Sequence, residues 1–325
     1  MKLNNTIAIG CLVQFYEIRI IEDYIKSVSY ALENVDNKEN VIIDICFNMN
    51  EKLESIDRNE ITPQEIVKRM DVICAKYNVD FWINKDRLFT IADYRREFNE
   101  KYCEKVDVLM WGESDSLIPR QTFEILDNLH TAAKETTPKY VGFFSTCKMW
   151  DDTWKILEHP DFTDKPFTEQ DLTNWWSLRY NMTQDEMDKI NDKVDDLDIQ
   201  VTDKLKFNGC GLVISSDVIK SGVNIPKSVF FVHEDTAFMN SCLIQFKGKL
   251  PQYIIKNILL VHNRKLPKKR SFIKGQDFGD DDQTRMREQQ YWYKNANKMS
   301  QVNAFNLTEQ GYTYTWKDVF RDYEK

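Results

Sequence analysis

The stretch Val106-Asp107-Val108-Leu109-Met110-Trp111-Gly112-Glu113-Ser114-Asp115-Ser116-Leu117-Ile118-Pro119 decides how the chain reads. Its apolar run has the continuous character of a strand covered on both faces. The run stops at Gly112, and two carboxylates follow with one residue between them. After Pro119 a helical pattern extends from about Arg120 to Lys134. Strand, glycine, polar loop and helix form a βα unit of an open sheet, in which ligands bind outside the carboxyl ends of the strands. Residues i and i+2 of an extended segment point to the same side. Glu113 and Asp115 therefore read as a pair able to grip one hard divalent cation, which prefers oxygen ligands and shares them with substrate phosphates. The plainer reading is a solvated acidic loop.

Working outward, the N-terminal side has the same alternating order. Thr6 to Phe15 is a strongly apolar first strand, and Ile21, Ile25, Val28 and Leu32 mark a helix over about 18–33. Val41 to Phe47 is a second strand. Thr62-Pro63-Gln64-Glu65 opens a helix to about Tyr77 with a cap, a first-turn proline and a capping-box-like acid. Val79 to Ile83 is a third strand. This order predicts an α/β fold with a doubly wound, mostly parallel mixed sheet flanked by helices. No G-x-G-x-x-G follows the first strand, which argues against a dinucleotide site. A further helix, Thr90 to Asn99, carries Arg95 and Arg96, residues suited to phosphate oxygens or to a solvated helix face.

On the C-terminal side, Lys139 to Ser145 reads as a strand. Residues 149–203, rich in acids and tryptophans, read as a helical insertion with a helix from Thr183 to Asp196. Such an insertion suits an acceptor region or lid, or a surface-packed hairpin. Sheet patterning returns over Lys206 to Ser215, where Gly209 and Gly211 permit close backbone approach. Val229 to Val232 reads as another buried strand ending in His233-Glu234-Asp235, with a helix from Thr236 to Phe246. One acid there reads as a cap, the pair less so. Ile254 to Val261 is a last strand running into His262, a metal-ligand candidate, and then into the basic cluster Arg264, Lys265, Lys268, Lys269 and Arg270. The expected division is a catalytic domain over 1–265 and a C-terminal helical extension over 266–325.

Bulk properties bound the function. The chain has 325 residues, 42% hydrophobic and 30% charged, enough for a substantial core. A net charge of -8 argues against a broadly basic nucleic-acid binder without excluding a local patch. No apolar run approaches the roughly 20 residues that span a bilayer. The seven cysteines lack C-x-x-C spacing and read as reduced core thiols, neither a disulfide framework nor a zinc site, consistent with a cytoplasmic protein.

The order of motifs resembles the GT-A glycosyltransferases, enzymes dependent on nucleotide sugars and a divalent metal. The resemblance covers roughly residues 6 to 264. By position, Glu113-Ser114-Asp115 is similar to the family's D-x-D motif, with Glu replacing the first Asp; Asp115 would be the direct metal ligand, Glu113 a second, and both would serve the donor diphosphate. Asn208-Gly209-Cys210-Gly211 resembles the glycine-rich loop near donor and acceptor, so Gly209 and Gly211 would adjoin the cofactor. His233-Glu234-Asp235 resembles the x-E-D motif, with Asp235 the catalytic base of an inverting transfer. His262 resembles the histidine that completes the metal site. Gln14 to Glu17 would lie at the nucleotide base, and Arg95 and Arg96 at the donor.

The resemblance implies transfer of a sugar from a nucleotide-diphosphate sugar, a UDP-sugar favoured, to an acceptor hydroxyl, with Mn²⁺ or Mg²⁺. The implied acceptor is a glycan or lipid-linked saccharide. The basic cluster after His262 keeps a second acceptor open, a hydroxymethylated base in viral DNA, through salt-sensitive phosphate contacts. A nucleotidyltransferase would need a glycine-rich basic loop where Val13-Gln14-Phe15-Tyr16-Glu17 stands. A non-catalytic nucleotide-sugar binding protein is the remaining alternative.

Overall fold

The computed structural model describes residues 1–14, 17–18, 20–49, 62–85, 87–147, 183–203, 205, 209–262, 291–307 and 312–321. The basic cluster at 264–270, the tryptophans between 149 and 182, and Asn208 lie outside the described residues.

Eight strands form one sheet: β1 (Ile7–Gln14), β2 (Val41–Asn48), β3 (Trp82–Asn84), β4 (Val108–Trp111), β5 (Val141–Cys147), β6 (Ile199–Thr202), β7 (Val213–Ser215) and β8 (Gln252–Val261). Their order is β3-β2-β1-β4-β7-β5-β8-β6. The first four are parallel neighbours, as the βαβαβ pattern predicts. β7 runs antiparallel to both β4 and β5, and β6 antiparallel to β8, so the sheet is mixed.

Helices α1 (Ile21–Glu33), α2 (Pro63–Tyr77), α3 (Ile91–Tyr102) and α4 (Thr122–Lys134) follow the first strands. Their ends obey local rules. Thr62 accepts from the Glu65 amide with Pro63 in the first turn, and Asn78 closes α2 in the left-handed conformation. Thr90 and Asp93 form a full capping box on α3. One apolar cluster joins β1 to α1, α2 and α4 on one face of the sheet. A second lies on the other face, where α3 and α7 (Glu234–Gln245) meet β4 and β7. The remaining α-helices among the described residues are α5 (Gln184–Asn191), α6 (Ser216–Lys220), α8 (Tyr291–Phe305) and α9 (Trp316–Phe320).

Three expectations change. The segment Val229 to Val232 is not a strand. Its side chains are buried against α8 and α9: Phe231 against Trp292, Phe230 against Trp316. Its backbone is satisfied by side chains instead of a ladder. Arg96 donates to the Val229 carbonyl, Thr90 to that of Phe230, and Ser300 to that of Val232. Packing against helices makes the same apolar run that a sheet would. Second, the region 149–203 is not wholly helical, because β6 pairs along β8 at the sheet edge. Third, α8 and α9 do more than extend the chain. Asn303 donates to the Ser228 carbonyl, Asn240 of α7 to that of Ala304, and Asn297 pairs with the His233 ring at 2.6 Å. The C-terminal helices thereby buttress the loop that leads into α7.

β8 also carries an irregularity. Its pairing with β5 jumps from Phe144–Ile255 to Ser145–Leu259. Buried Asn191 of α5 holds the far side of the jump through two bonds to Leu259, amide to carbonyl at 2.9 Å and carbonyl to amide at 2.8 Å. A bulge of this kind re-aims the strand end, and that end is His262.

Candidate active site

The strand directions explain which residues meet. β1, β4, β5 and β8 point the same way, so their carboxyl ends share one edge of the sheet. β7 points the opposite way, so its beginning lies on that same edge. The amide of Gly211 donates to the Trp111 carbonyl at 2.8 Å, and that of Trp111 to the Leu212 carbonyl at 3.0 Å. The loop after β4 then folds back as an antiparallel bridge, Leu117 with Val261. Residues 113, 210 and 262, distant in sequence, are thereby brought together.

Two glycines permit this closeness. Gly211 has φ +69°, the left-handed region, and a Cβ there would stand 2.6 Å from Leu260 Cδ1. Gly112 donates to the Gly10 carbonyl at 2.7 Å, and a side chain on it would overlap the Tyr24 hydroxyl.

His262 is buried, and its Nε2 bonds the Glu113 carboxylate, with Asp115 Oδ1 3.5 Å away. Its Nδ1 is buried with no hydrogen-bond partner among the described residues. Donor atoms of Glu113, Cys210 and His262 lie within 4.8 Å of one another. Two carboxylates and an imidazole suit a divalent cation, so the residues present fit the metal that the motifs imply. The sequence reading made Asp115 the direct ligand. Among the described residues, Glu113, Cys210 and His262 form the group whose donor atoms all lie that close, and Asp115 reaches His262 through Oδ1.

Arg95, on α3, is the centre of charge. Its side chain is 2% exposed; one nitrogen bonds Glu234 and another bonds Glu113 at 2.9 Å. Its guanidinium lies over the Trp111 ring, 4.7 Å from the centroid. Trp111 is held in turn by Asn99 at 2.9 Å and packs edge-on to Phe238 of α7. Burial pushes the Glu234 carboxyl above the usual range, while Arg95 opposes that shift. Burial also opposes the Arg95 charge, and Glu234 and Glu113 outweigh it, so its pKa is raised.

Asp235 follows Glu234 in the first turn of α7, and its Oδ1 accepts from the Thr236 amide at 2.7 Å. The residue before them, His233, is left-handed at φ +65°. A Cβ on Gly209 would lie 2.5 Å from Arg95 Nη1 and 3.3 Å from Asp235 Oδ2. Gly209, Arg95 and Asp235 thus share one corner.

Arg96 is used differently from Arg95. It donates to the carbonyls of Ile225, Pro226 and Val229 and pairs with Asp93, so it holds a loop. Helical spacing could not separate two adjacent arginines; only the packing of α3 does.

At the ends of β1, β2 and β3, three amides stand in register: Gln14, Asn48 and Asn84. Asn84 donates to the Arg87 carbonyl and to Asn48 Oδ1. Asn48 donates to the Phe89 carbonyl and to Gln14 Oε1. Because carbonyls only accept, the two backbone contacts orient the whole ladder. Gln14 must turn its oxygen toward Asn48 and its NH₂ the other way. The Gln14 backbone N–H donates to Glu17 Oε2 at 2.7 Å.

No protein-family model matches the chain, nor does any curated protein. Among solved structures, that of GalNAc-T7 with UDP, GalNAc and Mn²⁺ aligns over 98% of this chain at TM-score 0.51 and 8% identity. The chain has a GT-A-like glycosyltransferase fold. It spans about half of that GalNAc-T7 chain, 54%. The structure of S. aureus TarS 1-349 aligns over 94% of this chain and 75% of its own, at TM-score 0.43 and 10% identity. Among the described residues, no helix of this GT-A-like chain is long and apolar enough to cross a membrane.

Cys210 and Glu234 are the residues that sequence reasoning undervalued. Cys210 read as one more core thiol, and Glu234 was given no role of its own beside Asp235. The flanking glycines were the signal for the first; for the second there was none short of the contact with Arg95.

Proposed function

We propose that the protein is a glycosyltransferase that moves a sugar from a nucleotide-diphosphate sugar to an acceptor hydroxyl with inversion. The observation that carries this reading is the gathering of Glu113, Asp115, His262, Gly209 and Asp235 at one edge of a GT-A-like sheet. Mn²⁺ or Mg²⁺ held by Glu113, Asp115 and His262 would supply Lewis-acid stabilisation of the departing diphosphate.

The chain's own residues do the rest. The acceptor oxygen attacks the anomeric carbon as the bond to the diphosphate breaks. Asp235 takes the acceptor's proton, and the nucleoside diphosphate leaves. A single displacement needs one base on the face opposite the leaving group, which Asp235 supplies. Gly209 leaves room for the donor between Arg95 and Asp235. Arg95 keeps positive charge beside the carboxylates in a site where it is little screened. Gln14 and Glu17 lie where the nucleotide base would rest. Arg96 acts indirectly, by holding the loop before α7. UDP-sugars are the first donors to test, and a saccharide is the first acceptor class, ahead of hydroxymethylated DNA. Buried thiols fit a reducing compartment such as the cytoplasm.

The test is a panel of UDP-, GDP-, CMP- and TDP-sugars with Mn²⁺, detecting released nucleotide. Metal-dependent release is expected, lost in Asp115→Ala and reduced about 10²- to 10⁴-fold in Asp235→Asn, the range for a lost general base. A retained anomeric configuration by product NMR overturns the role of Asp235. No binding of any nucleotide sugar overturns the whole reading.

A further inference from the structure

The thiol of Cys210 sits where a hard-cation site has no need of one. It is buried, 1% exposed, and Sγ lies within 4.8 Å of donor atoms of both Glu113 and His262. Its position is built by the backbone. Gly211 takes the left-handed conformation and its amide is tied to the Trp111 carbonyl, so the turn at 209–211 lies flat against the ends of β4 and β8. Any Cβ at 211 would strike Leu260, two residues before His262. The turn can lie this close only as Gly-Cys-Gly, and the residue between the glycines is delivered to the acidic site. A second observation marks the place as a ligand site. The His262 ring is buried and turns Nε2 to the Glu113 carboxylate, with Asp115 Oδ1 3.5 Å away, while its Nδ1 has no hydrogen-bond partner among the described residues, so the nitrogen aimed into the cluster is the one an ion would take.

We propose that Cys210 is a metal ligand, making this a mixed oxygen, nitrogen and sulfur centre that prefers borderline-soft divalent ions, Zn²⁺ or Co²⁺, over Mg²⁺. This rests on the reading of the same edge as the metal site of a glycosyltransferase. The chemistry follows from donor type. Carboxylates alone select Mg²⁺ and Mn²⁺, imidazole adds affinity for later transition metals, and thiolate shifts selection toward zinc-like ions. When the sulfur–metal bond forms, the thiol proton leaves to solvent, so binding releases a proton and tightens as pH rises. Loading with Zn²⁺ would therefore compete with the ion that serves transfer.

The experiment is a Co²⁺ titration of the full-length protein followed by absorption. A sulfur-to-cobalt charge-transfer band in the near ultraviolet is expected, absent in Cys210→Ser and in Cys210→Ala, with Zn²⁺ affinity falling at least tenfold in both. Mn²⁺ affinity, read by water proton relaxation, is expected to change less than threefold. Circular dichroism checks that both variants keep the fold. Binding of Co²⁺ with the same spectrum in wild type and variants, or no Co²⁺ binding, overturns the assignment. Failure is separable from failure of the glycosyltransferase reading: Mn²⁺-dependent transfer without a sulfur band sinks only the Cys210 assignment, and a sulfur band without transfer sinks only the glycosyltransferase reading.

Discussion

Replacing Arg95 by methionine should be among the most damaging single changes at the candidate site, and for an electrostatic reason. The guanidinium is 2% exposed and links Glu234, itself 8% exposed, to Glu113, which is 26% exposed. Glu113 can turn to solvent and to His262; Glu234 cannot. Removing one partner of a buried ion pair costs about 3–5 kcal/mol, because the other charge stays buried. Loss of the stack on Trp111 belongs to the same removal, and is worth about 2 kcal/mol when desolvated. Since domains are stable by about 5–15 kcal/mol, the variant should fold with a clearly lowered urea midpoint. Adding Glu234→Met to Arg95→Met removes the stranded charge. The double variant should recover about 1–3 kcal/mol relative to Arg95→Met, the size of coupling seen between residues in contact. The pH dependence has a definite sign. Without Arg95, the folded-state pKa of Glu234 rises further above its unfolded value. A group shifted upward contributes stability below its unfolded pKa, roughly 4.3, and loses it as pH rises through the folded value. The deficit of Arg95→Met should therefore be smallest near pH 4 and grow toward neutrality, and the double variant should not show that growth. Urea unfolding by tryptophan fluorescence across pH 4–8 reads all three proteins. Additive effects, or an Arg95→Met deficit under about 1 kcal/mol, would refute the buried-bridge account.

Four further outcomes follow from local geometry. Burial pushes the Asp44 carboxyl up, but bonds from Lys101, Tyr102 and Trp82 outweigh it and hold its pKa below the usual value. Its contribution to stability is then present above the unfolded pKa, roughly 3.9, and lost as pH falls through the lower folded value, so Asp44→Asn should lose less stability on acidification than wild type in acid titrations. Tyr24 keeps a buried hydroxyl without a hydrogen-bond partner among the described residues, beside Gly112, so Tyr24→Phe should shift stability by under about 1 kcal/mol. Gly112→Ala should destabilise by about 1–3 kcal/mol through overpacking, and Tyr24→Phe should not rescue it in thermal melts, because the ring carbon Cζ also lies only 2.8 Å from the new methyl. If Gln14 presents its NH₂ to a base carbonyl, Gln14→Glu should weaken UDP by about tenfold, one hydrogen bond's worth, and narrow the UDP-to-CDP ratio in calorimetry; an unchanged ratio removes Gln14 from base recognition.

The local features of the chain were legible without coordinates. Continuous apolar runs at β1, β2, β4 and β8 identified covered strands, and Thr62 marked a helix start by cap chemistry. The acids after Trp111 and the histidine after Val261 stood at strand ends because strand ends are where apolar patterning stops. These are properties of single segments, with periods and caps that act over a few residues. The pairing of those segments was not legible. An apolar run does not say whether it is buried by a sheet or by helices, and so Val229 to Val232 turned out to pack against α8 and α9. The antiparallel insertion of β7 between β4 and β5 brought Cys210 to His262, and the packing of α3 separated Arg95 from Arg96. Those choices are made by contacts between residues more than a hundred apart, such as Arg95 with Glu234. Burial and charge pairing act through space, so the chemistry at the end of each strand was written locally, but which ends meet was decided only by the fold.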